Sequence, residues 1–378
     1  MGGMLAVTGA NGFVGHYLTA SLSGRKDGLV AITRSQASVV TFRSSGRVVP
    51  DLSACSHNTF SACSAVIHCA GRAHRMGEDR AQALPAYRSV NVEGTRGVVQ
   101  AMIAAGVRRI VYLSSIKACG ERSTTHPLAP DDVPTPEDAY GISKLEAEQL
   151  LLEYGRQGVI DPIIIRPVLV HGPGAKGNLA RLCEAVRNGR WLPLGAVRNK
   201  RSFLGVDNLC DAIITAATLP WERFGDFGAA SEKRTDLTAN TEIGAPGGMT
   251  RAEGGISDSK ELPRARLVPG APGRVYHLAD EGVISTRRLV EVLAEGMGVK
   301  PRLVSVPRWL AVGGATLLGK AATARRLFDD LEVDASAFSK DTGWQPTKSL
   351  EDGLREMAVE YARRMRDSGK QAGSDQGA

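Results

Sequence analysis

The segment YGISK sets the phenol of Tyr140 and the ammonium of Lys144 four residues apart. On a helix those positions share one face, so both groups point into the same space. A phenol with a pKa near 10 is a poor base at neutral pH. Lowering it by about 3 units takes about 4 kcal/mol of differential stabilisation, and neighbouring positive charge supplies stabilisation of that kind. Upstream, YLSSIKACG (112–120) ends an apolar run in two hydroxyls. Ser115 is the candidate to hydrogen-bond a reacting oxygen beside Tyr140, with Ser114 the alternative. The chemistry such a trio supports is proton transfer at an alcohol or ketone oxygen. A YxxxK pair by itself marks no more than a surface helix, so the surrounding sequence must decide.

A second motif, TGANGFVG (8–15), directly follows the apolar run Met4–Val7 and spaces Gly9, Gly12 and Gly15 as G-x-x-G-x-x-G. After a strand, Gly9 permits a tight turn, Gly12 lets the backbone approach phosphates, and Gly15 lets the next helix pack closely. That helix, expected over about Phe13–Leu22, offers free N–H groups and partial positive charge to a pyrophosphate. Asn11, Phe13 and Val14 belong to the same cradle. The run LVAIT (29–33) ends in Arg34 and Ser35, where an acid would read a ribose 2′-hydroxyl. A guanidinium suits a 2′-phosphate instead, which favours NADP(H) and leaves NAD(H) open. PDLS (50–53) offers Asp51 and Leu52 to an adenine edge. HCAG (68–71) offers Cys69, Ala70 and Gly71, small enough for a ribose and phosphates to come close.

The elements that must position these residues follow from periodicity. Apolar runs at 4–7, 29–33, 47–49, 65–68, 109–114 and 161–167 lack alternation and are separated by helical patterns at 86–105 and 140–156. Ser89 and Asn91 are the cap candidates of the first helix. Such a pattern predicts an α/β fold with a doubly wound parallel Rossmann sheet, buried on both faces, over 1–168. A smaller mixed α/β C-terminal substrate lobe is expected over 169–366, with 202–218 packing back on the first domain. Residues 223–273 are rich in Gly and Pro without an apolar face, which predicts a disordered insertion, and 367–378 reads as a disordered tail.

Composition sets outer bounds. The 378 residues are 43% apolar and 23% charged, ordinary for a soluble globular protein. The net charge is +7, yet no dense basic block marks a nucleic-acid footprint, and 5% aromatic content argues against a base-stacking surface. Six cysteines show no metal-ligand spacing, so no metal is expected, and without a leader pattern they read as reduced thiols of a cytoplasmic protein. WLAVGGATLL (309–318) is too short to span a bilayer and reads as a buried or amphipathic helix, so no stable membrane insertion is expected.

Together, TGxxGxxG, the strand-end serine, YxxxK and IIIRPVLVHGPG (163–174) resemble the extended short-chain dehydrogenase/reductase family, and more closely its NAD(P)-dependent nucleotide-sugar epimerase/dehydratase branch. The likeness covers nearly the whole chain apart from 223–273 and the tail. It implies a catalytic Ser115, Tyr140 and Lys144, the last two also touching the cofactor, and cofactor contacts at Asn91 and Pro167. It further implies a UDP-sugar substrate whose diphosphate is held by Asn178 and Arg201, with His74 and Lys117 lining the sugar pocket, and a homodimer. Reduction of a 4-ketone and C4 epimerisation both remain open. Dehydration is disfavoured, because Ile116 and Lys117 stand where related dehydratases carry Asp-Glu. Rival readings are a reductase of a non-nucleotide ketone and a non-catalytic NAD(P)-binding sensor. Two departures, Cys119 and His171 in place of the family's tyrosines, are expected to reshape the pocket.

Overall fold

The computed structural model describes residues 3–24, 28–35, 45–73, 80–224, 274–310 and 327–374. Its centre is a seven-stranded sheet in which β1 (Met4–Thr8), β2 (Leu29–Thr33), β3 (Ser45–Val48), β4 (Cys63–His68), β5 (Arg109–Leu113), β6 (Asp161–Pro167) and β9 (Arg274–Leu278) are all parallel, in the order β3-β2-β1-β4-β5-β6-β9. The order reverses beside β1, which opens a crevice at the carboxyl ends of β1 and β4. Side chains alternate between two buried clusters: Leu5, Val7, Ala31, Ile67, Val111 and Ile165 on one face, Ala6, Val30, Ile32, Val66, Ile110 and Ile164 on the other. Burial on both faces explains the unbroken apolar runs.

Helices α1 (Phe13–Leu22), α2 (Arg80–Arg88), α3 (Gly94–Ala104) and α4 (Ala139–Arg156) flank the sheet. Between α2 and α3 the chain passes through a π-turn at Ser89–Glu93, so neither Ser89 nor Asn91 caps a helix. Asn91 is instead buried within the turn, a conformation found often at functional sites.

The second lobe holds α5 (Asn178–Arg187), α7 (Thr286–Met297) and α9 (Leu350–Ser374), packed around Leu179, Cys183, Leu289, Leu293, Leu354 and Met357. Ser285 caps α7 by accepting from Arg288 N at 3.1 Å, and Gly298 ends it at φ +68°. A short parallel pair, β7 (Leu169–His171) and β8 (Phe203–Gly205), precedes α6 (Val206–Thr218). Leu209, Cys210, Ile213 and Ala216 of α6 join the same core cluster as β1 and α1. A last short helix, α8 (Ser336–Thr342), puts Phe338 against Tyr276 of β9.

The expected tail from 367 is helical as far as Ser374. Extending an anchored helix gains one hydrogen bond per residue fixed, so α9 runs on past its buried turns. Of the expected insertion, 223–224 close a 3₁₀ turn, while 225–273 lie outside the described residues, as do 375–378 and 311–326. The residues flanking 225–273 meet: Arg274 Nε donates to the Phe224 carbonyl at 2.8 Å.

Candidate active site

The crevice floor is built by glycines that tolerate no side chain. Gly9 has φ +67°, and a Cβ there would lie 2.8 Å from the Ala70 backbone. A Cβ on Gly15 would lie 2.1 Å from the Gly9 carbonyl oxygen, so only glycine lets α1 sit this close to the turn. Gly12 caps α1 with extended backbone and no side-chain acceptor, leaving the first-turn N–H groups to an anion.

Beside the floor, Thr8 Oγ1 bonds His68 Nδ1 at 2.7 Å, and Ala70 N donates to Thr8 Oγ1 at 3.2 Å. Burial holds His68 down to about 3, so the ring is neutral, and pushes the Cys69 thiol up to about 12. Asn91 clamps the next loop: its Oδ1 accepts from Arg72 N at 2.8 Å and its Nδ2 donates to Ser143 Oγ at 2.9 Å. A Cβ on Gly71 would lie 2.9 Å from Asn91 Oδ1 and 3.6 Å from Lys144 Nζ. Asp51 accepts from Ser53 N at 2.9 Å and starts the turn Leu52–Ala54. Leu52 packs on the sheet core, Pro167 is buried at the end of β6, and Arg34 is exposed just past β2. These residues fit a dinucleotide: a glycine floor, free helix N–H groups and a loop trimmed to small side chains.

The Ser-Tyr-Lys trio gathers past the end of β5 and in the first turns of α4. Asp138 caps α4 by accepting from Gly141 N at 2.8 Å, and Gly141 is required because a Cβ would lie 2.4 Å from the Lys117 carbonyl oxygen. Ser115 donates to the Tyr140 hydroxyl, which pulls the phenol down, but burial outweighs this and holds it at about 12. The Tyr87 ring meets Tyr140 edge-on at 6.0 Å. Lys144 turns toward the sheet: its Nζ donates to Tyr112 Oη at 3.1 Å and to the Leu113 carbonyl at 2.7 Å. Burial lowers Lys144 to about 8. The ammonium thus approaches Gly71, and the contacts found here leave Tyr140 an acid.

Ser114 faces the other way. It donates to Glu148 Oε1, and Glu148 is paired with Arg166 at 2.6 Å, both side chains almost wholly buried. This carboxylate stands one helical turn beyond Lys144, a spacing available in the sequence but not used.

Other expectations are redistributed. Lys117 Nζ is held by Glu121 at 2.8 Å and Asp138 at 2.5 Å, so it braces the start of α4 and is not a free pocket cation. His171 is fully buried, 3.2 Å from Asp280 Oδ2, in a network with Gly205 N and Asn208 Nδ2; it and the buried Cys119 fill interior space. Asn178 is the exposed first residue of α5. Arg201 exchanges backbone hydrogen bonds with Ile284, and its Nη1 donates to the Asp329 carbonyl at 3.2 Å. The neighbouring Asn199, passed over in the sequence, is buried and ties Thr286 N, Leu327 O and Asp329 O together. His74 lies outside the described residues. Among the described residues no group of His, Cys, Asp and Glu could hold a metal ion, and no helix is long and apolar enough to cross a membrane.

A parallel sheet with a glycine-floored crevice and a Ser-Tyr-Lys trio at its edge defines a Rossmann-type α/β protein of the extended short-chain dehydrogenase/reductase class. Residues 5–224 match the Epimerase family model, the NAD dependent epimerase/dehydratase family, and the chain belongs to it. UDP-glucose 4-epimerase of Vibrio cholerae is 30% identical over 363 residues, 94% of this chain and 95% of the relative. A 4-hydroxy-2-methyl-3-oxo-4-farnesyl-3,4-dihydroquinoline-1-oxide ketoreductase of Stigmatella aurantiaca is 26% identical over 326 residues, 83% of this chain and 79% of the relative. Among solved structures, MoeE5 in complex with UDP-glucose and NAD superposes with a TM-score of 0.66, covering 96% of this chain and all of that one. At 22% identity that match speaks to the fold.

Proposed function

We propose that the chain catalyses hydride transfer at C4 of a UDP-(deoxy)hexose in surface-polysaccharide biosynthesis, in the cytoplasm and as a homodimer. Reduction of a 4-keto sugar is the favoured direction. The observation that carries this reading is the meeting of Ser115, Tyr140 and Lys144 beside the glycine floor. A nicotinamide dinucleotide bound there supplies or accepts the hydride. Gly9, Gly12 and Gly15 would hold its pyrophosphate, Asp51 and Leu52 its adenine edge, and Lys144 its ribose side. The exposed Arg34 supports a 2′-phosphate and hence NADP(H), an exchangeable cofactor suited to a net reduction.

Tyr140, held at about 12, is protonated at working pH and donates its proton to the developing C4 alkoxide. Ser115 then stabilises the phenolate left behind through the hydrogen bond it already makes. In the oxidising direction the same phenolate must form first, which requires positive charge beyond that of the protein alone. Asn178 and Arg201 are the candidates to meet the substrate diphosphate. The second reading, C4 epimerisation with retained NAD, is favoured by the nearly full-length likeness to a UDP-glucose 4-epimerase.

Incubation with NADPH or NAD⁺ and a panel of UDP-hexoses and UDP-4-keto-6-deoxyhexoses, read by product NMR, separates the two. Net NADPH consumption identifies the reductase; C4 inversion without net redox identifies the epimerase. Tyr140→Phe is expected to lower kcat by about 10²- to 10⁴-fold with an unchanged melting temperature. If it keeps most of the activity, the acid/base assignment is wrong.

A further inference from the structure

One surface of the second lobe carries aromatic exposure and charge that the proposed reaction leaves unused. Beyond α5 the chain from Arg187 to Arg201 runs beside Lys300–Leu310. Leu192 N donates to the Arg302 carbonyl at 2.8 Å, and Val304 N to the Leu192 carbonyl at 2.9 Å. Inward, Leu194, Val197 and Phe328 pack with Val290 and Ala294 of α7, so both segments are anchored on a core. Outward stand Trp191 and Trp309, 68% and 71% exposed, with Val304, Leu310 and Leu327 also exposed. Five of the eleven large apolar side chains exposed among the described residues thus fall on these two paired segments or, in the case of Leu327, on a residue whose carbonyl is bound by Asn199 of the first segment.

The charge on this surface is one-sided. Arg187, Arg190, Arg198, Lys200, Lys300, Arg302 and Arg308 are all exposed, and neither 187–203 nor 296–310 contains an Asp or Glu. The adjoining acids are Glu184, one turn before Arg187 on α5, Glu295, paired with Arg288 at 2.7 Å, Asp329, 2.5 Å from Arg308, Glu332, 3.9 Å from Lys200, and Asp330, which accepts from Lys200 N. Among the described residues no carboxylate pairs with Arg187, Arg190, Lys300 or Arg302.

We propose that this face docks on an anionic phospholipid bilayer. Indoles beside Lys and Arg suit the headgroup level, where an aromatic ring meets acyl carbon while cations meet phosphate. A nucleic-acid surface is the poorer fit, because the Arg302 guanidinium stands 5.6 Å over the Trp191 ring, where a base would stack. The chain adsorbs without spanning, and the second lobe faces the lipid.

The test is co-sedimentation of the full chain with vesicles of phosphatidylcholine alone and of phosphatidylcholine with phosphatidylglycerol in equal parts, together with tryptophan emission. Binding is expected only to the anionic vesicles, with a blue-shifted emission and a fall as salt rises. Trp191→Ser/Trp309→Ser is expected to weaken partitioning by about tenfold or more. Lys300→Gln/Arg302→Gln should cost about fivefold per charge removed. Circular dichroism and turnover of a soluble substrate should be unchanged in both. Failure to bind anionic vesicles overturns the proposal, as does vesicle binding that both double variants retain in full. Displacement from vesicles by duplex DNA, with the tryptophan variant binding that DNA as the wild type does, identifies a nucleic-acid surface and overturns it too.

Discussion

Adjacent hydroxyls at Ser114 and Ser115 have opposite surroundings, and that difference makes them separable by mutation. Ser115 touches the phenol of Tyr140, whereas Ser114 is buried against Glu148. Ser115→Ala is expected to reduce kcat with little change in melting temperature. Ser114→Ala should leave kcat nearly intact and destabilise by about 1–3 kcal/mol, read by denaturant unfolding, because a buried carboxylate oxygen loses its donor. Lys144 gives a pH prediction. Its ammonium, lowered to about 8 by burial, is charged below that pH and neutral above it, while Tyr140 stays protonated up to about 12. The reductive kcat/KM is therefore expected to fall as pH rises through about 8, and Lys144→Met should remove that inflection. The sequence placed Tyr140 and Lys144 on one helix face, since that follows from spacing alone. It was silent on where the ammonium goes, because Tyr112 and the Leu113 carbonyl lie more than 30 residues away in the chain.

At the scale of elements, the motifs legible in sequence are those whose constraint is local. The positive φ at Gly9 and the start of α1 are set by neighbours within four residues, although the room Gly9 leaves is toward Ala70. The caps of α7 and α9 are as local, Ser285 accepting from Arg288 N and Ser349 from Asp352 N. What was misread depends on other elements. Asn91 has the residue type of a cap but serves the loop at Arg72, 19 residues away, and α4. His171, expected from its place in the motif to reshape the pocket, has as partner Asp280, 109 residues on. The buried pair of Glu148 on α4 and Arg166 on β6 belongs to the same class and fastens the helix that carries the trio to the sheet. Glu148→Ala leaves Arg166 uncompensated, and calorimetry should register a loss of about 3–5 kcal/mol. A loss below about 1 kcal/mol would mean the pair is not the fastening described.

For the whole molecule, unbroken apolar runs separated by helical patterns sufficed for six strands of the parallel sheet, because burial on both faces leaves a signature in composition. The seventh, β9, comes from 274–278, beyond the expected boundary at 168, and joins the sheet beside β6. The second lobe was less legible: its core draws on α5, α7 and α9 together, and bridges such as those of Asn199 join residues 87 and 130 apart. Excising the 49 residues 225–273 and joining Phe224 to Arg274 through a linker of about six residues is expected to preserve the sheet. It should stabilise by about 2 kcal/mol, three halvings of loop length at about 0.6 kcal/mol each, and guanidinium melts of the shortened chain measure this. Loss of cooperative unfolding would show that the segment carries part of the core. The meeting of Phe224 and Arg274 also makes this a seam where the gene can change length at little cost. A reporter domain whose own termini lie close together, spliced between them, would leave β9 in register beside β6, and the host and its guest would fold as two independent units.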